Sequence, residues 1–252
     1  GLQAYYSKSE TKKLLSFISD LKPDIVHLHN LHSSFVSMEL LLGFLAQNDI
    51  ATVITLHDCW FYTGKCTHYT LDKCYRWQTG CGKCPRLRKD IPSWFLDRTE
   101  QMVRDKEKWF SEIPRLAVLG VSDWIANEAR KSFLSSAQMI DRVYNWIDMG
   151  VFKPVEATHL RQKYNLHDKL VLISVASDWS NAKGLDRFIE LSELLSAKMK
   201  LVLVGNMPAG IELPKEILHI KQTQNVNELA EYYSMSDIYI HLSQEETFGK
   251  TI

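Results

Sequence analysis

Cysteine is the most chemically pointed residue type in this chain, and it is confined to one place. All five cysteines lie between Cys59 and Cys84, in the spacing Cys59-x6-Cys66-x7-Cys74-x6-Cys81-x2-Cys84. Such a cluster is local rather than a disulfide framework spread over the chain, which favours a metal or free thiols. Cys81 and Cys84 form a CxxC knuckle, and Cys66 and Cys74 complete a four-thiolate set suited to structural zinc. Cys59 is left out, because directly after a strand and the His57-Asp58 pair it reads as a small buried hydrophobe. Reduced unliganded thiols and a disulfide formed on purification are the competing readings. Trp60, Phe61, Tyr62, Tyr69, Tyr75 and Trp77 crowd the same segment, either to stack on a ligand or to form the segment's own small core.

Histidine and charged residues mark further candidates. His27, His29 and Asn30 close one apolar run, with His32 just beyond, and His57-Asp58 close a second. Alternation gives His27 and His29 one side of their strand; for His27 a core histidine is the plainer reading, whereas His57 stands where a strand breaks into a long loop. In the second half, Lys183-Gly184 follows a buried apolar run and precedes a helical one, as does the stretch from His241 through Glu246-Thr247-Phe248-Gly249. Helix N-termini bind anions through free N–H groups and the dipole, and Lys183 adds a charge there. Glu246 is suited to accept hydrogen bonds from ligand hydroxyls, with the backbone at Phe248 and Gly249 facing an anion.

The elements that must position these groups alternate. Helical spacing runs over 10–21, ended by Lys22-Pro23, then a strand over 24–29, a helix over 36–46 and a β-branched strand over 51–57. A loop over 58–92 intervenes, then a helix over 97–110, a strand over 116–121, a helix capped by Ser122 and running to Phe133, and a strand over 141–145. The pattern lapses over 149–157 around Pro154 and restarts with strands over 170–175, 200–204, 217–220 and 238–242 and helices over 184–195 and 226–233. Alternation of this kind implies right-handed βαβ units and parallel sheets covered on both faces. Two α/β domains are expected, over 1–148 and 158–252, joined by a linker over 149–157. Ligands of open parallel sheets bind at the strands' C-terminal ends, where the groups named above stand.

In order and spacing, Asp24-Ile25-Val26-His27-Leu28-His29-Asn30, Thr55-Leu56-His57-Asp58, Tyr144-Asn145-Trp146-Ile147-Asp148, Lys183-Gly184, Ser236-Asp237 and Glu246-Thr247-Phe248-Gly249 resemble family-4 retaining glycosyltransferases of the GT-B type. The resemblance implies two Rossmann-like domains facing across a cleft, the first on the acceptor side and the second holding a nucleoside-diphosphate sugar. It makes His57 the histidine that reaches the donor sugar, Lys183 a binder of the diphosphate, and Glu246 the first glutamate of a paired motif on sugar hydroxyls. The second glutamate falls past Ile252, and the family's first strand precedes residue 1, so a fragment with both domains incomplete, and of impaired activity, is expected. Asp178 stands where the family commonly has an arginine, and Trp146 where it has a glycine. A cysteine-bearing insertion after the His-Asp pair occurs in a subset of similar bacterial enzymes.

The activity that the resemblance implies is transfer of a hexose from a nucleoside-diphosphate sugar to a carbohydrate or lipid-linked glycan acceptor, with retention, in cell-surface polysaccharide synthesis. A nucleotide-sugar epimerase and a non-catalytic nucleotide-sugar-binding module remain the alternatives. No DxD-like carboxylate pair stands at a strand end, so no cofactor is expected for catalysis and zinc only as a structural ion. The 252 residues, 45% hydrophobic with 30 Lys+Arg against 30 Asp+Glu, describe an ordinary globular chain and argue against a generally basic nucleic-acid surface. No apolar run approaches the length of a membrane span and no signal layout opens the chain, so a cytoplasmic location is expected, with contact at most peripheral to the inner membrane surface.

Overall fold

The computed structural model describes residues 3–89, 91–93, 95–249 and 251. Contacts divide the chain into two units, Gly1–Asn145 and Trp146–Ile252.

The first unit carries α1 (Lys8–Leu21), β1 (Ile25–His29), α2 (Met38–Gln47), β2 (Ala51–Leu56), α3 (Thr99–Ser111), β3 (Leu116–Gly120), α4 (Asp123–Arg130) and β4 (Met139–Arg142). Its sheet runs β1-β2-β3-β4, every pair parallel. Leu28, Ile54, Leu56, Val118 and the α2 residues Leu41, Leu42 and Leu45 are buried, so the even-numbered face of β1 and β2 belongs to the core of this unit. The odd-numbered face of β1 is different: His27 and His29 are both exposed, which overturns the reading of His27 as a core histidine. Ser122 caps α4 by accepting from the Ile125 N–H at 3.4 Å. That helix stops at Arg130 rather than continuing to Phe133, because the Ser132 hydroxyl donates to Ala129 O at 2.7 Å and accepts from Leu134 N, turning the chain into a short 3-10 helix over Phe133–Ser136. The last strand covers Met139–Arg142 and not 141–145; Tyr144 leaves the sheet, its hydroxyl donating to Asp123 at 2.7 Å.

The second unit carries α5 (Thr158–Lys163), β5 (Leu170–Asp178), α6 (Leu185–Glu193), β6 (Met199–Asn206), β7 (Ile217–Ile220), α7 (Val226–Ser234) and β8 (Ile238–Tyr239). Its parallel sheet has the order β7-β6-β5-β8. Both faces are covered. Val171, Ile173, Val202 and Val204 pack with Leu160, Tyr232 and Met235 on one side, and Leu172, Leu201 and Leu203 pack with Leu185, Phe188 and Trp179 on the other. Burial on both faces is why these strands read as nearly continuous apolar runs. The six-residue α5 escapes sequence reading because Leu160 is its one buried residue, too little for a period. β8 ends at Tyr239, short of the expected Leu242: Ile240 N still donates to Ile173 O at 2.8 Å, and the chain beyond turns to the loop at Ala182, where Gln244 N donates at 3.0 Å.

Candidate functional site

In the second unit two strand-end loops meet. After β5, a 3-10 turn over Asn181–Lys183 leads into α6 through Gly184 at φ +79°. A Cβ on Gly184 would collide with the Leu242 carbonyl, so glycine is required both by conformation and by close approach of the second loop. That second loop is stitched to the first: Gln244 N donates to Ala182 O at 3.0 Å, and the Ser243 hydroxyl donates to the same carbonyl at 3.3 Å. The stitching brings Lys183 Nζ to 2.6 Å from Glu246 Oε1, with His241 Nε2 3.7 Å from the same oxygen. Burial works against the Glu246 carboxylate, but Lys183 and the Ser243 hydroxyl prevail and hold its pKa below the ordinary carboxylate range. Thr247 is buried, and Phe248 and Gly249 are partly so. The Leu185 N–H, first of α6, donates to Ser180 O at 3.1 Å. Asp178 lies exposed at the end of β5 and accepts from Asn206 at 3.3 Å.

In the first unit the odd-numbered residues of β1 and the end of β2 build a histidine row. His27 Nε2 is 2.8 Å from Thr55 Oγ1, the His27 and His29 rings are 4.2 Å apart, and His29 Nδ1 is 2.9 Å from His57 Nε2. Burial, then the neighbouring His29, lowers the pKa of His27. Asp58 accepts from Trp60 N at 2.8 Å and pairs with His32 Nε2 at 3.1 Å, which pins the start of the long loop to the segment after β1. A shared hydrogen bond between two imidazoles makes one the donor and the other the acceptor, so the state of His29 sets the tautomer of His57.

The loop after β2 has almost no regular structure, with a 3-10 turn over Arg76–Gln78 as its one element among the described residues. It is nevertheless packed. Cys59, Trp60, Phe61, Tyr62, Tyr69 and Trp77 are buried, which settles these aromatics as a core of the loop; Tyr75 alone of the set is exposed. Lys106 of α3 is fully buried beneath them, donating to Thr63 O at 2.9 Å and to Trp60 O, with the Trp60 ring centred 3.6 Å away. Burial drives its pKa down to about 7. Cys66, Cys74, Cys81 and Cys84 line one cavity of about 20 Å³. Cys66 and Cys84 hydrogen-bond to each other, which raises the pKa of the first and lowers that of the second. Among the described residues, no three His, Cys, Asp or Glu side chains stand together as a ready metal-ligand set.

Comparison with known proteins places this architecture. Residues 2–151 match the model for Glycosyltransferase Family 4, and residues 156–252 that for Glycosyl transferases group 1. The chain belongs to glycosyltransferase family 4. It is 35% identical over 105 residues, 40% of this chain and 25% of the relative, to the colanic acid biosynthesis glycosyl transferase WcaC assigned in Escherichia coli (strain K12). It is 25% identical over 143 residues to N-acetyl-alpha-D-glucosaminyl L-malate synthase of Bacillus anthracis, covering 52% of this chain and 36% of that one. The matched stretches thus span about a quarter to a third of these relatives. Among solved structures, Anabaena HepE in complex with UDP superposes with a TM-score of 0.63 at 14% identity, over 96% of this chain and 59% of that one. The catalytic domain of Arabidopsis thaliana starch synthase IV, bound to ADP and acarbose, gives 0.60 at 16% identity, over 98% and 59%. The two parallel α/β units are those of the GT-B fold.

For this family-4 chain, residue types and positions point to Lys183, Glu246 and His57 but not to the residues that hold them. The link from His29 to His57 is invisible in the sequence; the period-2 alternation that puts His29 beside His27 is the available signal, and it becomes usable once β1 is paired with β2. The supports of Glu246, Ser243 and His241, carry no signal of their own beyond nearness in sequence. No described helix is long and apolar enough to cross a membrane.

Proposed function

We propose that the protein transfers a hexose from a nucleoside-diphosphate sugar to a carbohydrate or lipid-linked glycan acceptor, with retention at the anomeric carbon, in bacterial cell-surface polysaccharide synthesis. The observation that carries this reading is the Lys183–Glu246 pair at 2.6 Å, a cation and a carboxylate held together at the C-terminal ends of parallel strands in a family-4 chain. The leaving diphosphate develops negative charge, so the site's task is electrostatic. In this reading the diphosphate takes Lys183 from Glu246, and the freed carboxylate accepts from sugar hydroxyls while the backbone at Thr247, Phe248 and Gly249 lies against the ligand. Gly184 lets both loops approach closely enough for that exchange. His57 orients the donor sugar, with His29 fixing its tautomer. A cytoplasmic location and peripheral contact with the inner membrane face go with the same reading.

Lys183→Ala should weaken uridine diphosphate binding by about ten- to a hundredfold, the worth of one charge-assisted hydrogen bond, in calorimetric titration of the full-length protein. Unchanged affinity sinks the assignment. His57→Ala should leave the melting temperature nearly unchanged while transfer falls by about a hundredfold or more. A large stability loss with activity per folded molecule preserved would return His57 to a structural role. Release of nucleoside diphosphate only when acceptor is present separates transfer from epimerisation and from binding alone, and the anomeric configuration of the product read by NMR tests retention.

A further inference from the structure

The cysteine cavity is lined by four thiols, two aromatic rings, backbone and cations, and by no carboxylate or imidazole among the described residues. Thiolate sulfur is the donor that selects zinc over magnesium or calcium. Two features of its walls, and a second buried ammonium near its thiols, call for negative charge inside. Lys65 lines the cavity with 1% of its surface exposed, and among the described residues its ammonium donates to the neutral Lys89 carbonyl at 2.6 Å. Lys106, outside the lining, is equally buried; it donates to two carbonyls under a ring face, and Asp58, Cys81 and Cys66 are the groups whose negative charge acts on it. Trp77, 4% exposed and part of the lining, has its Nε1–H without a partner. Buried ammonium groups and orphaned donors are costly unless something negative or hydrogen-bond-accepting stands nearby.

We propose that Cys66, Cys74, Cys81 and Cys84 bind one zinc ion as four thiolates, a structural site that holds together the loop between β2 and α3. On binding, each thiol passes its proton to solvent, leaving a centre of net charge about −2. That charge answers Lys65 and Lys106, and its sulfurs accept from Trp77 Nε1–H. The S–H contact between Cys66 and Cys84 is replaced by bonds to one ion, which requires the side chains to turn about χ1 into the cavity they already line. The chain at the knuckle is set for such a wrap: Cys81, Gly82 and Lys83 all have left-handed backbone, at φ +55°, +86° and +45°. Thr99 Oγ1 and Asp97 anchor the Gly82 and Cys84 N–H groups at 3.1 and 2.7 Å, tying the knuckle to the start of α3.

Elemental analysis of full-length protein purified without chelator or affinity metal tests the site. The expected result is about one zinc per chain, with four of the five thiols protected from a thiol reagent until a strong chelator is added. Cys59→Ser should retain the metal, and the double variant C81S/C84S should lose it. Should that variant fail to fold, cobalt(II) titrated into metal-free wild-type protein decides alone: tetrahedral thiolate absorption saturating at about one equivalent supports the site. Zinc far below one equivalent with all five thiols reacting at once, cobalt bound without thiolate charge-transfer bands, or a Cys66–Cys84 disulfide in the unreduced peptide map overturns it.

Discussion

Two loops leaving the C-terminal ends of parallel strands solve opposite problems. The loop after β2 is long and carries its own core, with Trp60, Phe61, Tyr62, Tyr69 and Trp77 buried and two ammonium groups sealed among them. The loop after β5 is short, lends Trp179 to the core of its unit, and is placed by Gly184 and by hydrogen bonds to its neighbour after β8. The first spends apolar burial on holding a shape, whereas the second leaves Lys183 and Glu246 partly exposed, with side-chain exposures of 38% and 27%. On the proposed function, a loop that meets a ligand keeps its charges reachable, whereas one that serves as a scaffold hides even its charges.

Trp60→Ala strikes hardest at this contrast. It removes a ring buried to 1% exposure together with the π face over Lys106, and should cost about 3–5 kcal/mol in urea unfolding of the first unit. Uridine diphosphate affinity per folded molecule should be unchanged. Equal loss of affinity would mean that the two loops are not independent.

Gly184→Ala should come next, at about 1–3 kcal/mol, because a side chain there is strained at φ +79° and collides with the Leu242 carbonyl. The measurement is the same urea transition, read with a probe in the second unit, and affinity for the diphosphate should fall with stability. A stability loss without any loss of affinity would detach the Lys183–Glu246 pair from the glycine turn.

Smaller still are the pH dependences, and they run in different windows. Burial of Lys106 lowers its folded pKa from 10.5 to about 7, so the unfolded chain binds more protons between those values and stability of the metal-free protein rises with pH above about 7. The rise is read below pH 9, the ordinary thiol value, above which the raised pKa of Cys81 works the other way. Lys106→Met should reduce the rise without abolishing it, because the thiol of Cys84, held at about 6 by the hydrogen bond from Cys66, contributes with the same sign up to pH 9. For Glu246 the folded pKa is depressed below the ordinary 4.5, so its contribution is present above that value and lost as pH falls through the folded pKa. Glu246→Gln should abolish this acid-side loss in urea titrations, and a wild-type acid limb unchanged by the substitution would show that Lys183 does not hold the carboxylate.

Much of the fold is legible in the sequence because it depends on near neighbours along the chain. Apolar runs such as Leu170–Val175 mark buried strands, period marks α1 and α7, and the hydroxyl of Ser122 marks the start of α4. Element ends are less legible, since β8 stops where its chain turns to the loop at Ala182 and α4 stops where Ser132 captures a carbonyl. Of the candidate site, residue types at strand ends point to His57, Lys183 and Glu246. Their partners cannot be had from type or spacing.

The sequence by itself determined the alternation of strands and helices, the glycine before α6, and a cysteine set of one soft-donor type in a single loop. Tertiary structure alone decided which of these meet. Lys183 and Glu246 are 63 residues apart and touch because β8 lies beside β5 in the order β7-β6-β5-β8. His29 and His57, 28 apart, share a hydrogen bond because β1 and β2 pair in register. Lys106 reaches the Trp60 carbonyl across 46 residues because α3 packs under the loop. Local propensity acts between residues a few positions apart, while an ion pair or a buried ammonium is fixed by strand order and packing, which no short stretch of chain encodes.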